Sequence, residues 1–238
     1  MAKNGLIVDR RYLLWIGAAG AVLVASPAQA EPDAAEFDAL MAALEGLGDQ
    51  LPATSAAEQN AHIYRLAARA MLVRDFPIPR MGAMGRTGVE IGPLGRTQPP
   101  TDILHGIALV SYRMAPNALL QSHNHPNYSV ATVGIEGQAQ VIHYEADGPT
   151  PDFASRDPFV VRKTAERILR PGEASTLSPS RDNIHTFQAG SHGARFVDLF
   201  SLHGDDVGFS YLDIEPRPMS ASGDSYRAHW IGAQPSNL

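Results

Sequence analysis

Ser122-His123-Asn124-His125-Pro126 and, further on, Pro179-Ser180-Arg181-Asp182-Asn183-Ile184-His185 decide how this chain is read. His123 and His125 are separated by one residue. In an extended segment side-chain direction repeats every second residue, so both imidazoles leave the same face of a strand. His185 closes a facial three-nitrogen site if its own strand lies beside that one. Such a set leaves coordination positions open for a substrate and dioxygen, which an open-shell metal needs in order to do chemistry. His123, His125 and His185 are therefore the candidate metal ligands. The remaining histidines, His62, His105, His143, His192, His203 and His229, carry no motif. Of these, His143 falls on an expected strand from which it could point inward.

Working outward, the surroundings read as β structure from residue 103. Short apolar stretches at 107–112, 128–135, 139–144, 166–169, 174–177, 185–189 and 195–200 are separated by Gly, Pro, Asp and Asn. Many short strands with turn signals indicate a sandwich or barrel rather than alternating strand–helix units. Residues 76–102 are rich in Pro and Gly and read as a loop-rich connector. Residues 31–75 read as an N-terminal helical region, with Phe37, Leu40, Met41, Leu44 and Leu47 at helical spacing. A second helix begins near Ser55, where Ser55-Ala56-Ala57-Glu58 has the form of a capping box, and places Ile63, Leu66, Ala67, Ala70 and Met71 on one face. These apolar stripes are packing surfaces. Residues 216–238 are polar and read as a surface tail.

Paired histidines on an early strand and a third far downstream resemble the arrangement of the cupin superfamily. The resemblance implies an all-β fold, a cupin jelly-roll (double-stranded β-helix) barrel over 103–215, preceded by an N-terminal helical segment. The first generic cupin motif is met by His123-x-His125 and a later Gly134 or Gly137; the second is approximated by Gly172, Pro179 and His185. The glutamate that usually follows the histidine pair is absent, because Tyr128, Ser129, Val130 and Ala131 occupy that region.

A site of histidines alone resembles thiol dioxygenases more than the manganese oxalate enzymes. His123-Asn124-His125-Pro126-Asn127-Tyr128-Ser129-Val130 is similar to the His-Asp-His-Pro-Gly segment of the cysteamine dioxygenase and plant cysteine oxidase family. Asp182-Asn183-Ile184-His185 resembles its Gly-Asn-Ile-His, Phe196-Val197-Asp198-Leu199-Phe200 its Leu-Asp-Ile-Leu strand, and Ser210-Tyr211 its Thr-Tyr or His-Tyr. The segments occur in the same order across roughly residues 103–215.

That resemblance implies an Fe(II) cofactor held by His123, His125 and His185, with a small thiol and O2 as the small-molecule partners. In that family both oxygen atoms end on sulfur as a sulfinate. It further implies that Tyr211 donates a hydrogen bond to oxygen or substrate. Asp198 would orient a ligand histidine through its second nitrogen or hold a substrate amine, and Tyr128 would line the pocket. The family's Pro-Pro-Tyr is replaced here by Ser201-Leu202-His203-Gly204, and its Gly after His-Pro by Asn127, so the substrate can differ. Two other readings stay open: a cupin metalloenzyme acting on a non-thiol small molecule, and a non-catalytic cupin that binds a metal or ligand.

Charge and composition narrow the rest. Net charge is −6, with no basic patch that would serve nucleic acid. There is no cysteine, which excludes disulfides, thiolate ligands, a cysteine nucleophile and the cysteine–tyrosine crosslink of some thiol dioxygenases. Lys3, Arg10 and Arg11 precede an apolar run from Leu13 to Ala25, and Ala28-Gln29-Ala30 has a small-x-small cleavage pattern. Residues 1–30 thus read as a signal peptide, leaving no stable membrane span after cleavage, since the run falls short of the ~20 residues a bilayer needs. Arg10-Arg11-Tyr12-Leu13-Leu14 resembles a twin-arginine signal, implying the twin-arginine export machinery as a partner and a periplasmic or secreted protein.

Overall fold

The computed structural model describes residues 55–71, 88–93, 107–149, 151–152, 155, 157–203, 209–219 and 223–231. The expected signal peptide and the first expected helix, with Phe37 and Leu47, lie outside these residues. Helix α1 spans Ala56–Ala70. Nine strands follow: β1 (Val89–Pro93), β2 (Ile107–Met114), β3 (Leu119–Asn124), β4 (Tyr128–Ala146), β5 (Phe159–Leu169), β6 (Ala174–Leu177), β7 (Ile184–Leu202), β8 (Leu212–Pro218) and β9 (Ser225–Trp230).

Two 19-residue strands, β4 and β7, make the architecture. They pair antiparallel along their whole length, from Tyr128↔Leu202 to Tyr144↔Ile184. The first half of β4 and the second half of β7 sit in one sheet with β2, β1 and β6. Their other halves sit in a second sheet with β3, β5, β9 and β8. A sheet that turns a corner along two shared strands, with all pairings antiparallel, is the jelly-roll expected from the sequence.

The corner needs residues without side chains. Gly137 has φ 63°, and a Cβ there would strike the carbonyl oxygen of Gly193; one at Gly134 would strike that of Arg170. The pairing register shifts on either side, between Gly134 and Glu136 and between Gly137 and Ala139. These are β-bulges, the usual device for bending a strand between sheets. The stretches expected as separate strands at 128–135 and 139–144, and at 185–189 and 195–200, are thus continuous strands bent in the middle.

Alternation sorts the side chains into three packed layers. Inward-facing Val130, Val141, Leu177, Phe187 and Phe196 fill the lumen. On the outside of the first sheet, Ala131, Val133, Val197 and Leu199 receive Ile63, Leu66, Ala67 and Ala70 of α1. The helix starts as expected: Glu58 N–H donates to Ser55 Oγ at 3.3 Å, while Ser55 N–H donates back to Glu58 Oε2 at 3.0 Å. Met71, expected on the buried face, is 43% exposed, one residue past the end of α1. In the second sheet, Tyr144 and Ile184 point away from the lumen and pack with Phe159, Val161, Leu212, Ala228 and Trp230.

Two expectations need correction. The connector at 76–102 contains β1, whose residues Val89–Pro93 extend the first sheet by pairing with β2. The expected surface tail at 216–238 contains the end of β8 and all of β9, which zip onto β5 and bury Ala228 and Trp230. The polar composition there belongs to the exposed face of an edge hairpin.

Candidate metal centre

His123 is the penultimate residue of β3, and His185 the second of β7; they are direct cross-strand partners. His125 lies just beyond β3, held where the strand's pairing continues irregularly by its N–H donating to the carbonyl of Asn183 at 2.9 Å. One strand end therefore presents two imidazoles and its neighbour the third, as the one-residue spacing predicts. Nε2 of His185 lies 2.9 Å from Nε2 of His125 and 3.0 Å from Nε2 of His123. All three residues are buried. Among the described residues they are the one group of three or more acidic, histidine or cysteine side chains whose donor atoms converge, and no carboxylate joins them.

Their chemistry fits a cation. Nδ1–H of His123 donates to the carbonyl oxygen of Gln121 at 2.8 Å. A neutral His123 so engaged keeps only a lone pair on Nε2. A single ring proton on His185 Nε2 would have to be divided between two acceptors, whereas a shared cation is met by all three lone pairs at once. Imidazole nitrogens ~2.1 Å from one metal and at right angles are about 3 Å apart, the spacing of the two pairs that include His185, while the three donor atoms together lie within 4.8 Å of one another. Burial favours the ligand form as well. It lowers the pKa of His123 to about 4, against an upward pull from the Gln121 carbonyl. His125 and His185 are held well below the ordinary histidine value, by burial first and then by neighbouring histidines. The three histidines form a buried triad that could hold a metal ion.

The other expected site residues fall close by in differing degrees. The Tyr128 ring meets His125 edge-on at 4.8 Å and Phe200 at 5.4 Å. Tyr211 makes a β-bridge with His123, their rings 5.9 Å apart. That approach is fixed because Asn124 N–H donates to the Ser210 carbonyl and Ser210 N–H to Asn124 Oδ1. Asp198 lies inside the barrel between its cross-strand partners Val110 and Thr132. Burial raises its carboxyl pKa to about 7, with the Thr132 hydroxyl bond pulling the other way. Its Oδ1 has no partner among the described residues, and neither do Nδ1 of His125 and Nδ1 of His185. No hydrogen bond therefore joins Asp198 to the second nitrogen of a ligand histidine.

Two neighbours have no motif in the sequence. Phe209 packs on His123 at 5.8 Å, and His143 stands beside His185 with ring centroids 6.0 Å apart. The inward phase of His143 follows from its alternation with Ala139 and Val141; its partner does not, because that depends on register. His203 lies apart from the triad, its Nε2 2.7 Å from Ser129 Oγ on the helix-covered sheet.

Neither a family model nor a curated protein matches the chain. Among solved structures it is similar to an oxalate oxidase in complex with glycolate, at 18% identity over 56% of this chain and 59% of that one, with TM-score 0.42. It is also similar to KdgF from Halomonas sp., at 18% identity over 53% of this chain and 91% of that one, TM-score 0.35. A third similarity is to the coconut allergen cocosin, at 17% identity over 56% and 30%, TM-score 0.41. The chain spans 59% of the length of the oxalate oxidase, and its own fold rests on the strand pairing described above.

Proposed function

We propose that this protein is an exported, mononuclear Fe(II) dioxygenase that converts a small thiol and O2 to the sulfinic acid. The observation that carries the proposal is the convergence of three buried imidazoles with no carboxylate among them. The sequence resemblance of the His123–Val130, Asp182–His185 and Phe196–Phe200 segments to thiol dioxygenases supports it. Bound by His123, His125 and His185, iron would supply open coordination positions and a full positive charge, which favours the thiolate over the thiol.

The chain's own residues supply the setting. The three histidines are buried, and the Gln121 carbonyl fixes the His123 tautomer with its lone pair on Nε2. Tyr128 and Tyr211 border the triad on two sides; the hydroxyl of Tyr211 is the group we assign to hydrogen bonding with oxygen or substrate. Overall the reaction adds both atoms of O2 to sulfur, RSH + O2 → RSO2H, and needs no outside reductant.

The test is oxygen uptake by the Fe(II)-loaded protein with small thiols, including cysteamine, cysteine and peptides with N-terminal cysteine. His185→Ala serves as control. Thiol-dependent uptake that yields sulfinate and disappears in the variant supports the proposal. A fully iron-loaded protein that consumes no oxygen with any thiol refutes it, and leaves a non-thiol substrate or a binding role. Export is tested separately, by replacing Arg10 and Arg11 with Lys and following the protein between cytoplasm and periplasm.

A further inference from the structure

One row of residues across three adjacent strands carries three histidines. His185 on β7 is the cross-strand partner of His123 on β3 and, on its other side, of His143 on β4. His143 is as buried as the triad, but its Nε2 turns away from it to Ser175 Oγ, 2.8 Å distant. Its Nδ1 faces Asp182 Oδ2 at 3.9 Å. A Ser175 hydroxyl donating to Nε2 leaves the ring proton on Nδ1, toward the carboxylate.

Asp182 sits at φ 55°, in the left-handed region that glycine, Asn and Asp tolerate better than other residues. The carboxylate is immobilised. It accepts from Thr164 Oγ1 and, at 2.6 Å, from Arg181 Nη1, while its own N–H donates to Glu145 Oε1 at 2.9 Å. Arg181 is in turn tied to Thr176 Oγ1 at 3.0 Å and stacks under Tyr64 of α1 at 4.9 Å. The His143 ring is thus held by one hydrogen bond, to Ser175, and faces at 3.9 Å, beyond hydrogen-bond reach, a carboxylate fixed by a network that reaches the outer helix.

His185 needs such a neighbour. Metal-binding histidines are ordinarily oriented by a hydrogen bond at the second ring nitrogen. His123 has one; Nδ1 of His185 is buried without one. Its ring orientation therefore comes from packing, against Phe187 at 4.7 Å and against His143 at 6.0 Å, where the rings are nearly perpendicular at 87°.

We propose that His143 is a positioning residue of the metal centre: hydrogen-bonded to Ser175 and facing the Asp182 carboxylate, its ring sets the orientation of the His185 imidazole. This rests on reading the triad as a metal site, and it is independent of the substrate. Cobalt(II) is the probe, titrated into the metal-free full-length protein. Affinity is measured by chelator competition, and coordination by visible absorption and electron paramagnetic resonance. The variants are His143→Ala and Asp182→Gly. The second removes the carboxylate while giving the left-handed position the residue it tolerates best, so it carries the test even if the first folds poorly. Leu169→Ala, a lumen truncation away from the histidines, is the control.

The expected result is a weaker affinity in His143→Ala, the loss being smaller than the roughly 10–100-fold that follows loss of a hydrogen-bonded outer partner, because the contact is ring packing. A smaller loss in the same direction is expected for Asp182→Gly, with an altered Co(II) spectrum in both. Leu169→Ala should melt earlier yet keep affinity and spectrum. Wild-type affinity and spectrum in both variants would overturn the proposal. Failure of the unaltered protein to take up Co(II) would instead overturn the metal-centre reading, and this proposal with it.

Discussion

Burial in the lumen acts in opposite directions on the two kinds of titratable group found there. It strips the proton from imidazoles and leaves it on a carboxyl, because the charged form is penalised in each case. Asp198, pushed up to about 7 by burial, therefore binds a proton in the folded protein that the unfolded chain releases near pH 4. That contributes stability at low pH which is lost as pH rises through the folded value. Asp198→Asn keeps an acceptor for Thr132 and removes the charge. Its stability relative to the parent should grow between about pH 4 and pH 7 and then level off; urea unfolding across that range measures it, and a pH-independent difference would contradict it. His123, His125 and His185 were legible in the sequence because spacing alone puts two on one face. His143 and Ser175 were not, because which residues face one another across a barrel is set by register, and no local pattern encodes it.

The bends in β4 and β7 show how a local signal can be read correctly and placed wrongly. Gly137 does interrupt the β pattern, but as a bulge within a strand, not as a turn between two, and Gly134, inside the stretch expected at 128–135, borders a second bulge. Gly137→Ala places a Cβ against the Gly193 carbonyl at a positive φ. It should destabilise the fold by about 1–3 kcal/mol, measurable as an unchanged slope and an earlier midpoint in denaturant unfolding. At the helix the sequence reading holds: Ser55 and Glu58 cap each other as the four-residue motif indicates. Ser55→Ala should cost about 1 kcal/mol or less, the cap being exposed. The strands β1 and β9 escaped notice for different reasons. β1 is an edge strand of five residues that holds a Gly and a Pro, which read as loop. β9 pairs with both β5 and β8, but its apolar signal is confined to single residues such as Ala228 and Trp230 set between polar ones.

For the whole molecule, the buried histidines outnumber the buried carboxyl, and their sign prevails. The pKa values of His123 and His143 are lowered to about 4, and those of His125 and His185 lie well below the ordinary value, burial being the first cause throughout. Between about pH 4 and 6.5 the unfolded chain binds more protons than the folded one, so stability falls as pH drops through that window. The metal-free protein should show a melting temperature that declines steadily from pH 6.5 to pH 4. Added metal, which binds only the folded form, should raise the melting temperature at neutral pH. Chain integrity also depends on the last hairpin: a chain ending at Asp224 loses β9 and uncovers Phe159, Leu212 and Tyr144. Such a truncation should aggregate or bind hydrophobic dyes where the full chain does not.

Because β4 and β7 belong to both sheets, neither sheet can be completed without the other. Tyr128 must find Leu202 before the corner is secured, a chain closure over a long stretch that gives no reward until it is made. Folding dominated by such distant pairings takes on the order of milliseconds to seconds. The site asks for less: its three imidazoles come from the end of β3 and the start of β7, so they converge once those two segments, 62 residues apart at His123 and His185, have paired. Ion capture is thus expected to follow that pairing, and its rate in a refolding experiment to report the docking of β3 on β7 at any ion concentration high enough to saturate the finished protein.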